Sequence, residues 1–511
     1  MRNQFDFEDI QALIFTGHGS LRLARYVFLQ VGEPEQARQW LGSIVSEVTT
    51  EARLQQVRSE GRKVRVALHV ALTAEGLGAL GLPDAALGSF PPEFLEGMAD
   101  ANRSRILGDT GGSAPVHWDY GGLGEDGQPD EEQALHLVLM LYAEGFDAME
   151  PFHARHRGRY LEHGLREVEC QDTLLLAKKG ERLEEPFGFS DGITQPVIEG
   201  YRKPSAHGMT VKPGEFILGY ENAYGQKPVS PAVPGALDSG EHLPEVGLGS
   251  PLRDLGRNGS YLVLRKLRQN VEAFEAFLGV HGGEGREREW LASRLVGRWR
   301  SGAPTSLCPE RDDPELAADP SRNNCFSYAQ DPQGLLCPLG AHIRRANPRD
   351  GLIPGDREKS LQVVARHQLI RRGRPYQERR GEGGQEERGL IFIALNANLR
   401  RQFELVQHSW LNNPRFAGHF DSKDPLVGDN PEPGGVAARA LGEKAHGTVT
   451  LPGFPISQRI EGVTRFVDVR GGGYFFLPGI NALRFLSALA AADEERVEHP
   501  SPVFAEARLL G

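Results

Sequence analysis

Four short apolar runs, interleaved with two amphipathic stretches in the first third of the chain, constrain its fold more than any other feature. Residues 24–31 (ARYVFLQV), 63–73 (KVRVALHVALT), 135–144 (LHLVLMLYAE) and 166–177 carry the two-residue alternation or the short buried run of β-strands. Residues 34–48 and 145–163 read as helices, with shorter helical turns near 74–81 and 91–105. The resulting order, βαββαβ, is that of a ferredoxin-like unit. The second half repeats it with insertions. Strands are expected at 214–220 (GEFILGY), 259–266, 389–395 (GLIFIAL), 463–468 and 473–477, and helices at 268–279, 286–300, 397–412 and 480–491. The class is α+β, in two mixed units of residues 1–205 and 206–511 with the boundary near residue 205. Stretches 201–258, 301–341 and 420–457, rich in Pro and Gly, read as loops folded over the units.

Composition narrows the function classes. A chain of 511 residues with 39% hydrophobic and 25% charged residues can bury sizeable cores. A net charge of −11 argues against general affinity for nucleic acid, which needs Lys and Arg in excess. No run approaches the roughly 20 apolar residues of a membrane span, and the acidic opening MRNQFDFEDI lacks the basic region of a signal peptide. A cytoplasmic location is therefore expected, without membrane partners. Cys170, Cys308, Cys325 and Cys337 form neither CxxC nor CxxCH, which disfavours zinc ribbons, iron–sulfur sites and covalently attached haem. Buried free thiols are expected, although a disulfide within the 308–337 stretch is conceivable. Gly122 to Gly127 matches GxGxxG, yet no clear strand precedes it and no helix follows, so it reads as a loop.

The chemistry concentrates between Gly340 and Tyr376. There His342 is followed by Arg344, Arg345, Arg349, Arg366, Arg371, Arg372 and Arg374. Imidazole is a common metal ligand, and guanidinium groups pair bidentately with carboxylates. Together they suit haem, a metal carrying two propionates. A structural histidine beside a solvated or phosphate-binding arginine face is the alternative on these residues alone.

A second stretch, Pro186-Phe187-Gly188-Phe189-Ser190-Asp191-Gly192-Ile193-Thr194-Gln195-Pro196, sets an aspartate in a Gly-x-x-Asp-Gly run. With His342, the segment Arg371-Arg372-Gly373-Arg374-Pro375-Tyr376 and the run Leu390-Ile391-Phe392, it resembles the dye-decolourising peroxidase family, in the family's motif order. The amino-terminal part, from Tyr26 to Leu29, Ala37 to Leu41 and Leu107 to Asp109, is similar to the longer subclass, so the resemblance covers nearly the whole chain.

The resemblance implies two ferredoxin-like units forming a dimeric α+β barrel-like core, with one haem b in the C-terminal unit. It implies that His342 ligates the iron, that Asp191 is the acid–base group and that Arg371 stabilises charge. Leu390 and Phe392 become the apolar wall, with Gly192 and Ile193 beside the cofactor. Arg345 and Arg349 are candidates for the propionates. Glu404 is the candidate acceptor for the other nitrogen of His342, lying beside the helical stripe of Leu399, Phe403, Val406 and Trp410. The implied reaction reduces hydrogen peroxide through a ferryl intermediate and oxidises dyes, phenols and other small organic donors. An aspartate with a reference pKa of about 3.9 implies an acidic optimum unless burial raises it. Bulky dyes would draw on surface radicals at Tyr376, Trp410 or Trp290. A haem carrier or iron-release protein using the same pocket is the competing reading, disfavoured because a carrier needs neither Asp191 nor Arg371. A nucleic-acid module is disfavoured by charge.

Overall fold

Leu23–Val31 (β1) turns Leu23, Val27 and Leu29 toward a layer of helices and Ala24, Tyr26 and Phe28 toward the opposite face, and all six are buried. A strand that is apolar on both sides needs cover on both. The helical cover comes from Pro34–Ile44 (α1), which starts on a proline whose missing N–H would be unpaired there anyway, and from Phe146–Glu162 (α2). The other face meets residues of the second half of the chain, among them Leu262, Leu264, Ile391, Ile393 and Phe475. A computed structural model describes residues 4–175, 184–202, 209–380, 384–432 and 447–489.

In the first unit Val66–Leu72 (β2), Leu137–Ala143 (β3) and Leu165–Leu174 (β4) join β1 in the antiparallel order β4-β1-β3-β2. The second unit repeats the arrangement. Its strands are Ser260–Gln269 (β5), Ile370–Arg371 (β6), Arg374–Arg380 (β7), Gln385–Asn396 (β8) and Val467–Leu477 (β9). β9 lies beside β5, β5 beside β8, and β8 beside β6 and β7. Helices Val271–Gly282 (α3) and Gly285–Val296 (α4) follow β5. A single pair, Phe476 with Leu72, carries the sheet from β9 to β2, giving nine strands. At the far edges β4 and β7 meet through side chains, with Gln171 Nε2 donating to Glu378 at 3.0 Å and Arg380 to Glu169 at 2.9 Å. The result is α+β and barrel-like, as the repeated strand order implies. No helix among the described residues is long and apolar enough to cross a membrane.

Three expectations change. Residues 214–220 are not a strand. Pro213 starts a short helical turn and Gly219 adopts φ +86°, so Phe216, Ile217 and Leu218 are buried without entering the sheet. The two strands expected at 463–468 and 473–477 are replaced by one continuous strand, β9, with a register shift between Val469 and Gly471. The glycines there are not a break. A Cβ on Gly471 would come within 3.0 Å of the Tyr120 ring and backbone oxygen, so they admit a close neighbour. The helix expected at 397–412 has wide turns over Arg400–Glu404 and Val406–Leu411, with Glu404 N–H donating to the carbonyl of Leu399, five residues back, at 2.9 Å. The boundary near residue 205, residues 176–177 of the fourth expected strand and the last two residues of the final helix lie outside the described residues. All four cysteines are free, and of them only Cys337 is fully buried.

The barrel interior holds a histidine pair. His69 on β2 is fully buried, its Nε2 lies 2.8 Å from His18 Nε2, and its Nδ1 lies 3.2 Å from Gln11 Oε1. Burial pushes His69 down to about 3, and burial with the neighbouring His69 pushes His18 well below its usual value. The unfolded chain therefore binds protons below about pH 6.5 that the folded chain refuses. Stability should fall as pH drops from there toward 3, by about 1.4 kcal/mol per pH unit for each such histidine. Thermal midpoints at pH 7 and pH 4.5 test this. Equal midpoints in wild type and in His69→Gln would show that the pair is not held neutral.

Candidate active site

Residues 185–192 form a tight turn that packs on the second unit. Gly188 and Gly192 sit at φ +86° and +74°, conformations that favour glycine. Between them Ser190 is anchored, its N–H donating to the carbonyl of Arg300 at 3.0 Å and its hydroxyl to that of Ser301 at 3.1 Å. Asp191 follows, its carboxylate accepting from the N–H of Gly192 at 2.6 Å. Downstream, Gln195 Oε1 accepts from the backbone N–H of Arg371 at 3.0 Å, and the Arg371 guanidinium donates to the carbonyl of Thr194. The turn carrying Asp191 and the strand carrying Arg371 are thus tied directly, although 180 positions separate them in sequence.

His342 opens the short helix His342–Ala346. Its Nδ1 lies 3.0 Å from Asp424 Oδ2, and the other oxygen of Asp424 accepts from the N–H groups of Leu426 and Val427, both at 2.9 Å. Asp424 is fully buried. Burial opposes charge on both members, but their attraction wins: His342 is shifted above its ordinary value and Asp424 below. With Nδ1 engaged, Nε2 is the nitrogen left for the cavity that His342 lines. That cavity measures about 600 Å³, and Asp191, Gly192, Ile193, Arg349, Arg371, Leu390 and Phe392 also line it. Leu390 and Phe392 alternate on β8 and so share a face. Phe403 and Val406, on the wide-turn helix, extend the apolar lining, with the Phe403 ring 6.2 Å from that of Phe392. Burial lowers Arg371 and Arg349 below their ordinary values.

Two expected site residues lie elsewhere. Glu404 does not meet His342. Its oxygens accept from Tyr474 Oη at 3.0 Å and Arg103 at 2.9 Å, because the wide turns place an additional residue in each turn and rotate Glu404 away from the cavity. Arg345 is fully buried and donates to the carbonyls of Trp410, Ser422 and Asn413 at 2.9, 2.9 and 2.6 Å. It pins the loop that leads to Asp424 and does not line the cavity. Arg349 does, stacked 3.8 Å from the Phe326 ring. Sequence reasoning missed Asp424. Its only local signal is Asp424-Pro425, a common turn pair in a loop. Of the aromatic radical candidates, Tyr376 and Trp410 are buried and Trp290 is half-buried. Among the described residues one carboxylate group, Asp119, Glu378 and Glu387, has the spacing for a cation, but the Lys266 ammonium already sits among all three.

No protein-family model matches the chain. It is 28% identical over 476 residues to the dye-decolorizing peroxidase msp1 of Mycetinis scorodonius, covering 90% of this chain and 83% of that one. It is 28% identical over 508 residues to the multifunctional dye peroxidase DyP2 of Amycolatopsis sp., covering 94% and 95%. The crystal structure of a fungal DyP-type peroxidase from Auricularia auricula-judae is similar at a TM-score of 0.73 and 26% identity, covering 95% of this chain and 100% of that one.

Proposed function

Since the chain belongs to the dye-decolourising peroxidase family and is an oxidoreductase of the peroxidase type, we propose that it binds one haem b in the His342 cavity, reduces hydrogen peroxide and oxidises dyes, phenols and other small organic donors. The observation that carries this reading is the His342–Asp424 pair, which leaves Nε2 of His342 to a cavity that Asp191 and Arg371 also line. The residues suit the cofactor: an imidazole with one free nitrogen, apolar walls from Leu390, Phe392, Phe403 and Val406, and the Arg349 cation for a propionate. Haem supplies an iron that takes up the oxidising equivalents of peroxide and passes them on one at a time.

The protein's own part is positional and electrostatic. His342 would hold the iron through Nε2, while Asp424 accepts from Nδ1–H, fixes the ring and makes the imidazole a stronger donor. Asp191 takes the proton from one peroxide oxygen and delivers it to the other, so that the second leaves as water. Arg371 stabilises the negative charge that develops as the O–O bond lengthens. Leu390 and Phe392 give the cavity an apolar wall, which lowers the local dielectric and strengthens both effects.

The test is rapid mixing of haem-loaded protein with one equivalent of peroxide, followed by a phenol. A fast spectral change that the phenol reverses supports the reading, and a haem spectrum indifferent to peroxide would overturn it. Asp424→Asn should weaken haem binding or slow turnover by about 10- to 100-fold, the usual cost of losing a carboxylate behind a metal-bound histidine. Haem titration and steady-state rates check this, and wild-type values in both would remove Asp424 from the role.

A further inference from the structure

One half-buried acid of the cavity has no part in that chemistry. Glu185 lines the cavity and opens the turn that leads to Asp191. Its oxygens accept three hydrogen bonds: Oε2 from the N–H of Phe187 at 3.0 Å and from Gln269 Nε2 at 2.6 Å, and Oε1 from the N–H of Phe189 at 2.9 Å. The backbone closes the same turn, Glu185 N–H donating to the carbonyl of Phe189 at 3.0 Å and Gly188 N–H to that of Glu185 at 2.7 Å. All three partners of the side chain are N–H donors, the complement that an ionised carboxylate accepts. No salt bridge reaches Glu185 among the described residues. Burial raises its proton affinity in spite of these bonds, and an acid placed there at a cost in desolvation calls for a use.

That use follows from what does and does not hold Asp191. Among the described residues the Asp191 carboxylate bonds only the adjacent Gly192 N–H, so its place is decided by the chain on either side. Downstream, Gln195 ties the chain to Arg371. Upstream, Glu185 gathers the turn around its own carboxylate and fastens it to Gln269, the last residue of β5, a strand in the middle of the sheet. Loops hold reactive groups accurately only when such supports anchor them to rigid elements.

We propose that Glu185 is a positioning residue for the peroxide reaction, clamping the Asp191 turn to β5. The proposal rests on the acid–base role of Asp191. It is tested on the haem-loaded full chain by stopped-flow measurement of the peroxide step and the donor step separately, in Glu185→Gln, Gln269→Leu and Asp191→Asn. Glu185→Gln should slow the peroxide step by about tenfold or more, as a misplaced reacting group does, with the Soret band and the donor step retained. Gln269→Leu leaves the carboxylate in place and cuts only its tether, so it should act in the same direction with a smaller effect. It also decides the matter if Glu185→Gln does not fold. Amide exchange at Phe187 and Phe189 should quicken in Glu185→Gln. A slow Asp191→Asn beside Glu185 and Gln269 variants within twofold of wild type overturns the clamp alone. A wild-type peroxide rate in Asp191→Asn overturns the acid–base reading beneath it.

Discussion

Replacing His342 by alanine is expected to abolish the Soret band of the haem-loaded protein and bring peroxide-dependent oxidation to background, while the fold persists. The histidine side chain retains 29% of its accessible surface, at the cavity, so truncation opens little new space in the core. Asp424 loses its imidazole partner but still accepts from the N–H groups of Leu426 and Val427, so the buried carboxylate is not left bare. Absorption spectra and circular dichroism decide together. A variant with native circular dichroism and no Soret band supports the assignment, added imidazole should restore part of the band, and an undiminished band would remove His342 as the ligand.

Asp191→Asn is expected to lower the peroxide step by about 10²- to 10⁴-fold, the usual range for loss of a placed acid–base group, with haem binding intact. The side chain is isosteric and its acceptor oxygen still meets the N–H of Gly192, so the turn should hold. What disappears is the capacity to take up a proton. Arg371 would remain tied to Thr194 and Gln195, so the charge-stabilising contribution persists and sets the residual rate. The effect must appear in the bimolecular reaction with peroxide. An Asp191→Asn protein whose peroxide step is normal and whose donor step is slow would transfer the role of Asp191 from peroxide to donor.

The chain's local patterns were enough to lay out the strands and the two long helices of the first unit, though not the helix Glu51–Ser59. β1, β2, β3, α1 and α2 fall close to where two-residue alternation and helical spacing put them, because those periods record which face of one element is buried. The motif order brought out Asp191, Arg371, Leu390, Phe392 and His342, which the structure gathers around one cavity. Glu404 and Arg345 show where local reading ends. Glu404 lies beside an apolar stripe in the sequence, yet the helix there uses five-residue hydrogen bonds and its carboxylate meets Tyr474 and Arg103. Arg345 lies three positions after His342 yet spends its guanidinium on three carbonyls of other loops.

The partner of His342 lies 82 residues away in a loop whose composition carries no period, and the clamp on Asp191 comes from the end of a strand 84 residues beyond Glu185. The sequence by itself determined the strands and long helices of the first unit and the residue types fit for the chemistry. Tertiary structure alone decided which carboxylate faces which nitrogen, because hydrogen bonds between loops depend on how distant segments pack over the sheet, and nothing local in the chain encodes that geometry.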